Sequence, residues 1–241
     1  MKKAENEKVK FSKIEWSPVP IRWVFKGELR LDASFYTEEV FKAYKVLEEC
    51  GFPSVKLGEL CEPDGIFNPP PLRRHFTYTT DVGTPYLAPS ETLKLKPKEK
   101  YIYAQRVEGI EDWYVKEGWV LLTQSGIPGI TVFVSGRLKD FVISQNMIRI
   151  VPKTGVLPGF LYAYLSTRIG NTLVTKDQFG ITVDHIRPHH VAAIPVPLVP
   201  DDIRRKIHEK IVRAWNLRDQ ADEIENEAIQ ELEFFLTKKT E

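Results

Sequence analysis

The chain has 241 residues, 42% of them hydrophobic and 28% charged, a formal net charge of +1 and two cysteines. That length suits one sizeable domain or two small ones, and Cys50 and Cys61, with no CxxC, exclude a disulfide scaffold and a cysteine metal site. No apolar run reaches the roughly 20 residues that span a bilayer, and the charged stretch 1–10 has no secretory-signal pattern, so a cytoplasmic protein with reduced thiols is expected.

Residues 1–30 are polar and then aromatic, with Trp16, Trp23 and Phe25 near Pro18 and Pro20, and read as an N-terminal arm. Leu31 to Gly51 reads as a helix capped by Asp32 or Ser34, with Phe35, Val40, Tyr44 and Leu47 on one side. Residues 54–61 make a short strand or turn. Pro63 to Thr80 reads as loop, because Pro69, Pro70 and Pro71 force an extended backbone and remove ladder donors. Short strands follow near 84–87, 101–105, 120–123, 131–134 and 147–151, separated by Gly and Pro turns. Phe160 to Val174 returns to helix, 178–188 is loop, and 191–196 is a last strand. The fold class is α+β: a globular domain over 31–200 with a twisted, mostly antiparallel β region, then a long helix over 201–238.

That helix has no Gly or Pro from Asp201 to Lys238, and acidic Asp201 and Asp202 suit its N-terminus. Ile207, Ala214, Ala221, Ala228 and Phe235 recur every seven residues, with Ile203, Ile211, Leu217, Ile224 and Leu232 widening the stripe. A sustained seven-residue period is a coiled-coil seam. At 1.5 Å per residue the helix is about 57 Å long, too long for the globular part to cover, so a partner helix is expected. Ile207, Ala214, Ala221, Ile224, Ala228 and Phe235 are its candidate dimerisation residues. Residues 1–200 hold 26 Lys and Arg against 22 Asp and Glu, and residues 201–241 hold 8 against 11. A mildly basic head on a mildly acidic stalk is the direction expected of a DNA-binding head on a protein-binding helix.

Several segments combine in order: Arg30–Tyr36 (RLDASFY), Gly83–Ser90 (GTPYLAPS), Gly118–Gly129 (GWVLLTQSGIPG), Ile143–Pro152 (ISQNMIRIVP), Pro158–Thr167 (PGFLYAYLST), Gln178–Ile186 (QFGITVDHI) and Ile194–Pro200 (IPVPLVP) running into the helix. Together they resemble the target recognition domain of the DNA specificity subunit of type I restriction–modification systems, over roughly Arg30 to Phe235. Members of that family commonly carry two such domains and two long antiparallel helices. One of each here implies a half-length form that restores the arrangement as a homodimer.

The resemblance implies a non-catalytic subunit for phage defence that reads double-stranded DNA. Methylation and cleavage would belong to a DNA-adenine methyltransferase subunit and a restriction subunit, which would bind S-adenosylmethionine and ATP, while this chain binds no cofactor. The sequence has no GxGxxG between strand and helix and no GxxxxGK[ST]. Asn68-Pro69-Pro70 ends on Pro71 rather than an aromatic that would stack a flipped adenine. Two other readings are a DNA-reading module of a small nuclease or methyltransferase, and a pure protein-assembly module.

The candidate DNA-binding residues are polar and in loops. Arg73, Arg74 and His75 follow the prolines, with Tyr78 nearby; arginine suits guanine or phosphate, and a solvated surface pair is the plainer alternative. Gln124, Ser125, Gln145 and Asn146 lie beside a glycine turn and a strand start. Gln and Asn suit adenine, though Gln145 and Asn146 also suit turn capping. Lys176, Gln178 and Thr182 surround a second glycine loop, where backbone can approach phosphate. His185, His189 and His190 crowd together but read as structural or surface histidines rather than metal ligands.

Overall fold

The structure, a computed structural model, describes residues 33–238 apart from 72, 80, 95, 99 and 179–184, together with 21 and 24. The expected N-terminal arm therefore lies almost wholly outside the described residues.

Helix α1 (Glu38–Glu49) follows a 3-10 turn at Ala33–Tyr36. Its cap is Thr37, whose Oγ1 accepts from the Val40 N–H at 3.4 Å, ahead of Glu38 and Glu39 in the first turn, where carboxylates meet the positive end of the helix dipole. The cap thus lies five residues beyond Asp32, which is outside the described residues. Val40 and Ala43 are buried, and Tyr44 and Leu47 pack on the same core.

Strand β1 (Ser54–Lys56) leads through a 3-10 turn into β2 (Cys61–Phe67). The first five residues of the expected 63–80 loop are therefore strand. Pro63 is tolerated because the β2 register shifts between Cys61 and Ile66, where no regular ladder donor is needed. The others are β3 (Phe76–Thr77), β4 (Thr84–Leu87), β5 (Lys100–Ile102), β6 (Val120–Thr123), β7 (Thr131–Phe133), β8 (Val142–Ile143) and β9 (Met147–Pro152). They form two four-stranded sheets, β2-β9-β6-β7 and β3-β5-β4-β8. Every pairing is antiparallel except β4 with β8.

The first sheet is buried on both faces, which explains the unbroken apolar run of β6. Val120 and Leu122 enter one cluster with Ile148, Ile150, Leu161 and Leu165, while Leu121 enters another with Met147, Leu87 and Ile143. This is the two-residue alternation of a strand. Arg149, between Ile148 and Ile150, shares the Met147 side and is fully buried.

The expected helix 160–174 is two helices, α2 (Pro158–Ser166) and α3 (Arg168–Thr175). Thr167 breaks the run and caps α3, its Oγ1 accepting from the Gly170 N–H at 3.0 Å. A Cβ on Gly170 would lie 2.1 Å from the Tyr164 carbonyl oxygen, so only glycine permits this corner. Val191 and Ala192, expected as strand, end a short helix α4 (Pro188–Ala192), and the strand β10 (Pro195–Pro197) pairs with β1. Proline suits Pro188 because a first-turn N–H has no helical acceptor.

The long helix α5 spans Asp201–Thr237. Its N-terminal part packs on its own head: Ile207 against the first cluster, and Ile211, Val212 and Trp215 against the second. Trp215 lies among Phe133 and Tyr162, with ring centroids 6.3 and 5.9 Å away. Ile207, expected in the seam, is therefore engaged by the head, because the helix carries two apolar stripes rather than one. Among the described residues Asp222 is the last that is buried, and from Glu223 onward every described side chain is exposed. The second stripe stays uncovered: Ala214, Ala221 and Ala228 are exposed, as are Leu217, Ile224, Leu232 and Phe235.

Candidate nucleic-acid interface

Antiparallel pairing brings the C-terminal ends of β2 and β6 to the same sheet edge as the N-terminal end of β9. Asn68 follows β2, Gln124 and Ser125 follow β6, and Gln145 and Asn146 precede β9. The Gln124 N–H donates to the Asn146 carbonyl at 2.9 Å, and Asn68 Nδ2 donates to the Gln145 carbonyl at 2.9 Å. Ser125 bridges to His185. Five polar residues thus form one rim, four of them expected from sequence.

The rim is held from beneath by Arg149. Its guanidinium donates to the carbonyls of Ser144 (2.8 Å), Met147 (2.6 Å), Ile143 (2.7 Å) and Trp113 (3.1 Å). Burial pushes its pKa down to about 9, opposed by Tyr86 and Asp112, so it stays cationic at neutral pH. A planar fork of donors suits such a cage, and three of its four acceptors lie in the 143–147 turn that presents Gln145 and Asn146. Sequence reasoning passed over Arg149. The one available signal is a lone charge inside the apolar run Met147–Val151, since such a strand tolerates a charge only where partners meet it.

The glycine turn after β6 is equally fixed. Thr123 Oγ1 donates to the Ile127 carbonyl at 2.6 Å and accepts from the Ile130 N–H at 2.9 Å. Asn171 Nδ2 on α3 reaches the Gly129 carbonyl at 2.7 Å. Gly126 and Gly129 have φ of 82° and 93°, the left-handed region that glycine adopts without penalty. Ile127 stands exposed at the tip.

In the sequence Asn68 stands out only as part of an incomplete tetrad. Its Oδ1 and the Gln145 Oε1 are buried without a hydrogen bond, which marks this pair as under-satisfied.

Beyond the rim, Pro70 and His75 contact residues beside the second sheet. Trp113 Nε1 donates to the Pro70 carbonyl at 3.1 Å, and the Tyr103 N–H to that of His75 at 3.0 Å. Arg73, Arg74 and His75 are exposed and Tyr78 is fully so. Arg74 Nη1 donates to the buried Tyr86 hydroxyl at 3.1 Å, leaving Arg73 the less restrained cation.

Of the residues expected around the second glycine loop, Lys176 and Gln178 lie within the described residues. Lys176 pairs with Asp177 and lies 4.5 Å above the Phe35 ring, with its side chain only 10% exposed. This lysine ties the start of the domain to the end of α3 rather than reaching toward phosphate. Gln178 is half-buried, its N–H donating to the Thr175 carbonyl at 3.1 Å, and Thr182 lies outside the described residues. The His189 and His190 rings stack edge-on with centroids 4.1 Å apart. Among the described residues no group of three or more His, Cys, Asp or Glu gathers to hold a metal ion, and no helix is long and apolar enough to cross a membrane. Burial raises the Cys61 thiol to about 12, which makes it an inert core residue.

Residues 51–233 match the type I restriction modification DNA specificity domain. No curated protein matches the chain. Among solved structures, the HsdS subunit from Thermoanaerobacter tengcongensis is 17% identical with a TM-score of 0.46, the match covering 86% of this chain and 49% of that one. The type I restriction-modification S subunit from M. genitalium is 12% identical with a TM-score of 0.43, covering 66% of this chain and 38% of that one. The chain thus spans about half the length of the first of these and less of the second. With three-quarters of its residues inside the family's match, the chain belongs to the type I restriction modification DNA specificity domain family.

Proposed function

We propose that this chain reads DNA sequence as the specificity component of a type I restriction–modification enzyme, without catalysing the reaction itself. Membership of the family supports the class of function. The observation that carries the location is the rim of Gln124, Gln145 and Asn146, braced by Asn68 from β2, on a sheet edge clamped by Arg149. Carboxamides on a rigid frame are the groups that discriminate base edges, and Arg73 supplies an adjacent phosphate anchor.

The second half of the proposal concerns α5. Its segment 204–218 holds Arg204, Arg205, Lys206, Lys210, Arg213 and Arg218 against Glu209 alone, while 219–233 holds seven acidic residues and no basic one. Two copies in parallel would stack like charges, whereas antiparallel copies set basic halves against acidic ones. The exposed stripe of Ala214, Leu217, Ala221, Ile224, Ala228 and Phe235 would form the seam, its alanines allowing close approach. Such a dimer reads two half-sites related by a twofold axis. Its partners would be a DNA-adenine methyltransferase subunit and a restriction subunit, which would bind S-adenosylmethionine and ATP.

The test is selection of bound duplexes from a random-sequence pool, with the chain alone and with a type I methyltransferase subunit added. Enrichment of an interrupted palindrome is the expected result. A pool that stays random under both conditions would refute the reading and favour a protein-assembly role.

A further inference from the structure

We propose that Arg137 is a positioning residue that sets the direction in which α5 leaves the head, and through it the separation of the two half-sites; the second part rests on the function proposed above.

Apolar docking of α5 ends at Trp215. The next inward-facing positions, Asp219 and Asp222, are both acidic, and each side chain is only 13% exposed. They meet the turn after β7. Ser135 Oγ donates to Asp219 Oδ1 at 2.9 Å, and the Arg137 N–H donates to Asp219 Oδ2 at 3.2 Å. Arg137 Nη1 donates to Asp222 Oδ2 at 3.2 Å, and Nη2 to the Lys94 carbonyl at 3.3 Å. Through its backbone N–H and its guanidinium, Arg137 thus ties two loops of the head to two successive turns of the helix. Lys96 Nζ adds a more exposed pair with Glu225 at 2.6 Å.

The choice of charge over leucine has a geometric consequence. Hydrophobic attraction is non-directional, whereas charge-assisted hydrogen bonds add a preferred distance and angle. The acids sit where the helix leaves the head, so a small angular freedom there is amplified along the rest. The 15 residues beyond Asp222 extend about 22 Å at 1.5 Å per residue. A swing of about 10° then moves the tip by roughly 4 Å, about one base-pair step of 3.4 Å. A loose junction would blur the half-site spacing by one base pair, and the clamp removes that freedom.

The experiment measures the junction directly. In full-length chain carrying Cys50→Ser, spin labels are placed at two exposed positions, Glu117→Cys on the head and Gln230→Cys on the helix, and the labelled chain is diluted into unlabelled chain. Pulsed dipolar spectroscopy reads the intrachain distance distribution. The expected result is one narrow distance, at least doubled in width by Arg137→Met and by the isosteric Asp222→Asn, with the helical circular dichroism signal retained. An unchanged width in the variants overturns the latch. Should Arg137→Met fail to fold, Asp222→Asn decides alone. On duplexes with the selected half-sites at varied separation, the parent chain should prefer one spacing by tenfold or more, and Asp222→Asn should accept spacings one base pair longer or shorter within about threefold. A doubled width with undiminished spacing preference overturns the link to half-site separation. If no chain binds DNA, the recognition function falls while the distance width still decides the latch.

Discussion

The backbone N–H of Gly159 on α2 donates to Nδ1 of His208 on α5 over 3.1 Å. A Cβ on Gly159 would lie 2.7 Å from that nitrogen, 2.8 Å from the His208 carbonyl oxygen and 3.0 Å from its Cα. Two of those three atoms are backbone, so a side-chain rotation cannot relieve the clash. Gly159→Ala should destabilise the protein by about 1–3 kcal/mol, the usual range for overpacking, and urea unfolding followed by tryptophan fluorescence measures it. A midpoint at or above the parent's would show that α5 can shift freely on α2.

The same bond makes helix docking sensitive to acid. His208 accepts through Nδ1 only when that nitrogen is unprotonated, and burial lowers its pKa below 6.5, opposed by Glu209. Between the folded and unfolded pKa values the unfolded chain binds more protons, so stability rises with pH there. The contribution is complete above about 6.5, the unfolded value, and is lost as pH falls through the folded pKa. His208→Asn keeps an acceptor and does not titrate. Parallel urea titrations should therefore show a smaller acid-induced loss in the variant, and identical pH profiles would remove His208 from the account.

Arg149 holds the rim from below, and its removal should be among the most damaging changes in the head. Arg149→Met leaves four carbonyls without their donor and should cost roughly 3–5 kcal/mol, since bonds to a charged group are worth about 1.5–3 kcal/mol each and do not add fully. Arg149→Lys keeps the charge but not the planar fork, so thermal melts should place it between the parent and Met. A Lys variant melting with the parent would mean that charge alone, not the cage geometry, holds the turn.

On the self-pairing proposed for α5, Ala221→Glu combined with Ala228→Glu should convert a dimer of twice 27.8 kDa into a monomer by light scattering. Both residues are exposed on the helix face away from the head, so circular dichroism should be preserved. A parent chain that is already monomeric would transfer the seam to a different subunit.

Rim and anchor should separate in DNA binding. Gln145→Ala should weaken binding to the selected duplex by about 1–3 kcal/mol, the worth of one good base contact, and leave binding to random duplex at low salt unchanged. Arg73→Ala should weaken both and reduce the slope of log affinity against log salt by about one. Fluorescence anisotropy across a salt series reads both quantities. Equal losses on both duplexes for Gln145→Ala would make it a phosphate contact.

How much of this was legible in advance depended on how local its cause is. The long helix could be read to within a residue, because the absence of Gly and Pro and the acidic first turn are properties of that segment alone. β6 was legible for the same reason: an apolar run bounded by glycine turns. The break at Thr167 was missed because nothing in the spacing of 160–174 contradicts a single helix; the corner shows only when Gly170 meets the Tyr164 carbonyl. β2 was missed because its proline argues against a strand, and the register shift that excuses it belongs to the pairing with β9. At the candidate site, Gln124, Ser125, Gln145 and Asn146 were found as polar residues at turns, but their gathering on one sheet edge follows from strand order. Asn68 and Arg149 join them through partners 77 and up to 36 residues away in sequence.

The sequence by itself determined that this chain ends in a helix with more apolar surface than one neighbour can cover. Side-chain periodicity follows from backbone geometry and needs no partner to be present. Only the tertiary structure decided how that surface is divided. Ile207, Ile211, Val212 and Trp215 fill space left by the sheet and α2, Asp219 and Asp222 meet Arg137, and the stripe from Ala214 to Phe235 remains open. Two stripes of like character on one helix are equivalent until a specific cavity and a specific guanidinium select between them.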